Sequence, residues 1–227
     1  MDTRGRKVAF ARGRYTLVEI LIVIAIIGMM IYMGLPAFEK ILTGTGVELT
    51  ARNMTSKLGM ARNYAISKRK TVALLMPTTG LPDQYCFSAT RTCIVDSTGS
   101  YNGGTQVTTY SFQRWIEGEN WDFLTVGSVI IHVDNAAGYS STIQAHEQVD
   151  GVKCTDIGAS YSSVDNVRAI IFKPTGKIDC DSSAYGDRYV TIGEGAYSSA
   201  GLVRKNTKNE LDIKIDKYSG RISYGSK

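Results

Sequence analysis

The first part of the chain carries an apolar run that no charged residue interrupts. It covers residues 20–38 and comprises nineteen residues. As an α-helix rising about 1.5 Å per residue, such a run spans about 28 Å, which is close to the hydrocarbon thickness of a bilayer. The pattern therefore predicts a transmembrane helix. A cleaved secretory signal is the alternative, but its apolar core is usually only about 7–15 residues long and precedes a small-residue cleavage site.

An amphipathic helix is predicted after this run. Pro36 removes a backbone donor and crowds the preceding turn, so we expect a bend there. Beyond the glycines of residues 44–46, apolar residues recur at alternating spacings of four and three, which places them on one helical face. They are Val47, Ala51, Met54, Leu58, Ala61 and Ala65. The intervening cations, among them Arg52, Lys57 and Arg62, lie largely off this face, and we expect them to be solvated.

From residue 71 onwards, short apolar or alternating runs separated by turn residues predict β-strands. The predicted strands occupy residues 71–76, 84–89, 107–115, 128–133, 167–173, 189–193, 211–215 and 221–224. Tight turns are expected at residues 174–176 and 218–220, the second of which joins the last two strands into a hairpin. Residues 134–166 and 194–210 are predicted to be loops. The fold class is therefore α+β, with a long N-terminal helix packed on an antiparallel β-sheet.

Charge and hydropathy divide the chain into four segments. They are a basic leader at 1–14, a transmembrane and assembly helix at 15–38, an amphipathic helix at 39–70 and a globular β-rich domain at 71–227. The leader holds five of the cations and one aspartate, which accounts for most of the net charge of +5. The positive-inside rule places this leader in the cytoplasm and the β-rich domain outside the inner membrane. Such a cluster also differs from a nucleic-acid footprint, which spreads over a folded face.

Glu19 is an unusual residue for its surroundings. It follows Leu17 and Val18 and precedes the apolar run, and a lone carboxylate in hydrocarbon costs about 2.5–3.5 kcal/mol. In one interpretation the carboxylate lies at the cytoplasmic end of the helix and reaches headgroup water. In the other, it meets a cation that another chain supplies within the membrane.

Residues 13–28, GRYTLVEILIVIAIIG, resemble the processing site and first helix of type IV pilin-like proteins. That family includes pilins and the pseudopilins of type II secretion. The resemblance implies that a prepilin peptidase removes the leader, that the new N-terminal amine is methylated, and that Glu19 pairs with a neighbouring subunit's amine. Alignment on Glu19 makes Tyr15 the first mature residue. The family has glycine immediately before the cut, whereas this chain has Arg14 there and Gly13 one residue earlier. The alternatives are therefore cleavage after Arg14, cleavage after Gly13 and no cleavage.

Residues 61–74, in which a helix runs directly into a strand, are similar to the GspH/FimT branch of minor pilins and pseudopilins. Residues 172–176 and 219–222 also resemble that branch. The resemblance implies a single-pass inner-membrane protein that joins other pseudopilins in a periplasmic filament for protein export, together with an inner-membrane assembly platform. The alternative is a minor pilin of a type IV pilus that contacts DNA through its basic C-terminal end. The cations of that end are Arg204, Lys205, Lys208, Lys214, Lys217, Arg221 and Lys227.

Four cysteines, Cys86, Cys93, Cys154 and Cys180, allow three pairings, and an exported domain permits disulfides. A Cys86–Cys93 bond would close a predicted hairpin and leave Cys154 with Cys180. Their spacings do not match a zinc site, so no metal is expected.

The chain also lacks the sequence motifs of serine hydrolases, zinc metalloproteases and phosphate-binding loops. We therefore expect no catalytic residue and no cofactor. A membrane-anchored enzyme is the least favoured class.

Overall fold

The computed structural model describes residues 16–102, 105–135, 147–179 and 186–226. The chain divides into two compact units, Met1–Leu42 and Thr43–Lys227. One α-helix is followed in the described residues by ten β-strands and a short 3-10 helix at Ala159–Tyr161. The predicted α+β class is therefore confirmed.

The long helix α1 extends from Leu17 to Lys68. It contains Pro36 and the glycines of residues 44–46, so the helix does not end at either position, and the bend at Pro36 stays a prediction. Within the part of the chain that the structure describes, no helix combines the length and the hydropathy that a membrane span requires. The transmembrane segment also stays a prediction.

The strands form two antiparallel sheets. In chain order they are β1 Val72–Leu75, β2 Ala89–Asn102, β3 Thr105–Trp115, β4 Asp122–Phe123, β5 Ser128–Asn135, β6 Gln148–Val149, β7 Val167–Phe172, β8 Arg188–Ser198, β9 Gly201–Ile215 and β10 Ile222–Ser226. The first sheet has the order β3-β2-β1-β7-β6, with β4 beside β2. The second sheet has the order β10-β9-β8-β5. A single predicted sheet is thus replaced by two.

Strand β1 separates two hydrophobic cores. Val72 and Leu74 face the core that also holds the apolar face of α1 and side chains from both sheets. Ala73 and Leu75 face a second core on the other side of the first sheet. The predicted apolar face of the amphipathic helix is confirmed, because its six residues from Val47 to Ala65 are at most 2% exposed. Burial of apolar surface contributes about 25 cal/mol per Å², so this face holds the helix against the sheets.

Three predictions about the strands are wrong. Residues 134–166 are not entirely loop, because they contain β6 at Gln148–Val149. Residues 83–88 form turns rather than a strand, and the strand begins only at Ala89. Residues 194–210 are not a loop, because β8 continues to Ser198 and β9 begins at Gly201. Most side chains at 203–208 are exposed, so both faces of this ribbon are polar and no alternation marks it as a strand. Pairing with β8 supplies its backbone hydrogen bonds.

The two predicted turns are confirmed. Gly176 N donates to the carbonyl of Lys173 at 2.8 Å, and β9 pairs with β10 on either side of residues 218–220. In the second turn, Asp216 Oδ1 accepts hydrogen bonds from the backbone N and the Oγ of Ser219, both at 2.7 Å.

Candidate assembly site

The start of α1 is fixed by a reciprocal pair of hydrogen bonds. Glu19 N donates to Thr16 Oγ1 at 3.2 Å, and Thr16 N donates to Glu19 Oε2 at 3.4 Å. This is a capping box, in which both side chains satisfy backbone donors that the first helical turn leaves unpaired. The Thr-x-x-Glu spacing is visible in the sequence and could have predicted it. Glu19 therefore has a local structural role before any other chain is considered.

The apolar part of α1 is exposed on all sides. Every residue at positions 17–32 is classed as exposed, and Leu17 and Tyr32 are both 80% exposed. A helix that is hydrophobic all round normally lies in a core or a membrane. Burying one large aliphatic side chain contributes about 1.5–3 kcal/mol, and exposed apolar patches of this kind mark interaction sites. Residues 17–32 are therefore the candidate assembly surface.

The predicted processing residues are not placed by the structure. Gly13, Arg14 and Tyr15 lie outside the described residues, which begin at position 16. Their role stays a prediction.

Arg62 was expected to be solvated, and this expectation is wrong. Its Nε donates to the carbonyl oxygens of Gly176 at 3.2 Å and Ser219 at 3.1 Å, and its Nη2 donates to Ser219 O at 2.9 Å. One guanidinium thus links α1 to both tight turns. No local signal predicts this, because the two partners lie 114 and 157 residues away along the chain.

Two further cations of the helix, Lys57 and Arg52, have acidic partners. Lys57 Nζ lies 3.1 Å from Glu119 Oε2, in a pair that is largely shielded from solvent. Arg52 contacts Glu48 at 2.6 Å, but those side chains are 62% and 53% exposed. Of Arg52, Lys57 and Arg62, Arg52 alone is largely exposed as predicted.

The cysteines that the structure describes are buried thiols. Cys86, Cys93 and Cys154 are not in disulfides, so the predicted Cys86–Cys93 bond is absent. Cys86 lies in a turn and its Sγ donates to Leu81 O at 3.3 Å, whereas Cys93 belongs to β2. Burial raises the pKa of the Cys93 thiol and raises that of Cys154 to about 11, which disfavours the reactive thiolate. Cys180 itself lies outside the described residues, but Cys154 is a free thiol, so the predicted Cys154–Cys180 bond is absent as well.

The basic C-terminal end is partly neutralised by acidic side chains. Arg204 lies 3.1 Å from Glu210, and Lys214 Nζ lies 2.8 Å from Asp187 Oδ2. The hydrogen bond from Lys214 lowers the pKa of the Asp187 carboxyl, and the same contact raises the pKa of Lys214. Two of the cations considered for DNA contact are therefore already paired within the chain.

His132, Thr191 and Asp212 are linked by side-chain hydrogen bonds. These residue types also occur together in some active sites. Thr191 Oγ1 donates to Asp212 Oδ1 at 2.6 Å and lies 3.0 Å from His132 Nε2. Because the hydroxyl gives its single proton to Asp212, the imidazole must donate to the hydroxyl and cannot act as its base. In the described residues, no group of three His, Cys, Asp or Glu side chains could hold a metal ion.

No family model and no curated protein matches the chain. Among solved structures, it is similar to the type IV minor pilin FimU of Pseudomonas aeruginosa, with 13% sequence identity and a TM-score of 0.40. The match covers 79% of this chain and 87% of the FimU chain. A TM-score of this size does not establish a common fold, and neither family nor function follows from it.

Proposed function

We propose that this chain is a pilin-like structural subunit that assembles into a filament through the apolar part of α1. More specifically, we propose a minor pseudopilin of a type II secretion system, with no enzymatic activity of its own. The observation that carries the proposal is the exposure of residues 17–32 on all sides of the helix. The resemblance of residues 13–28 and 61–74 to pilin-like proteins supports the same function.

Apolar packing would drive the assembly. In a bundle of similar helices, the exposed side chains of residues 17–32 exchange contacts with lipid tails for close packing against neighbouring helices. The bundle offers an environment as apolar as lipid, so a helix can leave the membrane for the filament at little cost. In this proposal residues 15–38 cross the inner membrane before assembly, and the β-rich domain lies in the periplasm.

Glu19 would select the register of packing. It is the only charged residue at positions 15–38, and its contact with Thr16 N uses Oε2, while an ionised carboxylate has about four acceptor sites on its two oxygens. Its carboxylate therefore retains the capacity to accept a hydrogen bond from the N-terminal amine of a neighbouring subunit. An unpaired carboxylate in apolar surroundings costs several kcal/mol, so bundles that pair Glu19 with an amine are favoured over other registers.

Processing would create the amine that this pairing needs. A prepilin peptidase would cut after Gly13 or Arg14, release the basic leader and expose an N-terminus four or five residues before Glu19. Methylation of that amine keeps its positive charge. The other partners in this proposal are related subunits of the filament and an inner-membrane assembly platform.

A minor pilin of a type IV pilus is the alternative, since it would use the same helix chemistry. Deletion of the gene in its native host distinguishes the two. The proposed function requires loss of exoprotein secretion with surface pili retained, whereas loss of pili with normal secretion supports the alternative.

The assembly role of Glu19 can be separated from its capping role by two matched variants. Glu19→Ala removes the carboxylate, whereas Thr16→Ala removes the hydroxyl that completes the capping box and leaves the carboxylate in place. Either change costs the helix about 0.5–2 kcal/mol through the lost cap. We expect Glu19→Ala to reach the membrane without entering the filament and Thr16→Ala to assemble normally, as measured by subunit cross-linking in the native host.

The outcome of this comparison is decisive for the pairing step. If the two variants assemble equally poorly, Glu19 acts only through the helix cap. If Glu19→Ala assembles normally, its carboxylate has no part in assembly.

A further inference from the structure

An open cleft lies where the end of α1 meets strands β2 and β3. Its volume is about 300 Å³, and Tyr64 and Trp115 line it together with the buried Ile94. Three cations also line it, namely Lys68, Lys70 and Arg114. The cleft thus combines aromatic and apolar walls with positive charge.

The backbone around this cleft is well defined by hydrogen bonds. Helix α1 ends with Arg69 in a left-handed conformation at φ 52°, and Lys70 N donates to Ala65 O at 3.2 Å. This is the 6→1 bond of a Schellman motif, which satisfies a carbonyl at the helix end and fixes the direction of the following residue. On the opposite side, Arg114 lies beside Ile94 in the β2–β3 ladder.

The indole of Trp115 is held in place by its neighbours. Its Nε1 donates to Lys153 O at 3.0 Å, and the guanidinium of Arg91 lies 3.9 Å from the ring centroid. Because these contacts fix the ring, binding to this aromatic wall would cost little conformational entropy.

The cations of the cleft are not neutralised within the described part of the chain. Lys68, Lys70 and Arg114 are exposed, and none of their side chains forms an ion pair or hydrogen bond with another described residue. Lys57, Lys214 and Arg204, by contrast, each have an acidic partner. Glu117 is the one acidic side chain that lines the cleft, so the lining residues carry an excess of positive charge.

We propose that this cleft binds the acidic side chains of a polypeptide segment of another protein. With three cations and one carboxylate in its lining, the cleft has excess positive charge for about one or two ligand carboxylates in direct contact. The apolar part of the bound segment would pack against Tyr64 and Trp115. Nucleic-acid binding instead rests on many phosphate contacts along an extended surface, whereas three cations line this cleft. The inference concerns only the Thr43–Lys227 unit and does not rest on the proposed filament.

The test uses the full-length protein in a non-ionic detergent and a fluorescently labelled hexaglutamate peptide. Anisotropy at low ionic strength measures the affinity. We expect the double variant Lys70→Glu/Arg114→Glu to bind at least about tenfold more weakly, since each reversed charge removes an attraction and adds a repulsion. The matched control is Lys205→Glu/Lys208→Glu, which changes the net charge equally on exposed residues of β9 outside the cleft.

Three results would overturn the proposal. They are an equal loss of affinity in the two double variants, no binding of the peptide by the unmodified protein, and tighter cleft-dependent binding of a hexathymidine oligonucleotide than of the peptide. A neutral variant, Lys70→Gln/Arg114→Gln, must weaken binding in the same direction by a smaller factor. Circular dichroism and the urea midpoint confirm that each variant is folded, which is expected because all four substituted side chains are exposed.

Discussion

At the scale of single residues, the turn between β9 and β10 depends on one glycine and one aspartate. Gly220 has φ +63°, which is a backbone conformation that favours glycine. Asp216 Oδ1 accepts from the backbone N and the Oγ of Ser219 and also from Tyr218 N at 3.1 Å. Arg62 reaches this same turn through Ser219 O. The turn therefore requires the absence of a Cβ at Gly220 and the hydrogen bonds that the Asp216 carboxylate accepts.

Substitution of Gly220 by alanine tests this close packing. A Cβ at Gly220 would overlap the carbonyl oxygen of Gly176, whereas a Cβ at Gly118 meets nothing although φ there is also positive, at +80°. Gly118→Ala should cost about 1 kcal/mol from backbone strain alone. Gly220→Ala should cost at least about 2 kcal/mol more, as measured by urea unfolding followed by tryptophan fluorescence. Equal costs would show that the backbone of Gly176 moves aside freely.

Asp216 predicts a pH dependence of stability. The hydrogen bonds from the Ser219 side chain and backbone lower the pKa of the Asp216 carboxyl below its ordinary value. A lowered folded-state pKa means that the carboxylate stabilises the fold above the unfolded pKa, and that this contribution is lost as the pH falls through the folded value. We expect the urea midpoint of the unmodified protein to decrease below about pH 4. Asp216→Asn should flatten this decrease, and an unchanged pH profile would contradict the assignment.

At the scale of elements, α1 contains two kinds of helix surface. Residues 17–32 are exposed on every side of the helix, whereas the segment from Val47 to Ala65 is buried along one face only. The sequence predicted both patterns, because apolar spacing along a helix is a local property. The capping box at Thr16 was also readable but needs the exact spacing of two polar residues.

The β-strands show where local patterns are insufficient. Strand β9 is mostly exposed along residues 203–208, and β2 contains a run of small polar residues at 96–100. Neither has the alternation of a half-buried strand, because what stabilises them is the ladder with β8 or β3. Strand formation depends on partners that are distant in sequence, so these strands were missed or misplaced.

Substitution of Arg62 tests the connection between α1 and the turns at residues 174–176 and 218–220. Arg62→Ala removes three charge-assisted hydrogen bonds to the carbonyls of Gly176 and Ser219, and we expect a loss of about 2 kcal/mol in the free energy of unfolding. Arg52→Ala, which removes an exposed pair with Glu48 on the same helix, should cost no more than about 0.5 kcal/mol. Chemical denaturation of both variants measures the difference. Similar losses of unfolding free energy in the two variants would mean that Arg62 stabilises the protein no more than an exposed ion pair does.

At the scale of the whole molecule, the buried apolar residues stabilise the fold, and the exposed apolar residues are those proposed for assembly. The Thr43–Lys227 unit buries two hydrophobic cores of its own, while the apolar side chains of residues 17–32 are exposed. The sequence was sufficient to predict this apolar segment. It was not sufficient to predict the cleft, because Lys70 and Arg114 come to line the same cleft only after the first sheet forms. The prediction also misplaced Cys86, because the predicted hairpin that would have held its disulfide is a series of turns.

The central claim is that the apolar helix is retained and used for assembly after the leader is removed. Intact mass spectrometry of the protein recovered from the envelope fraction of its native host tests it most directly. The account predicts a chain that begins at Arg14 or Tyr15, carries a methyl group on its N-terminal amine and retains the whole of α1. A chain that begins beyond Phe38 and is recovered outside the envelope would contradict the account.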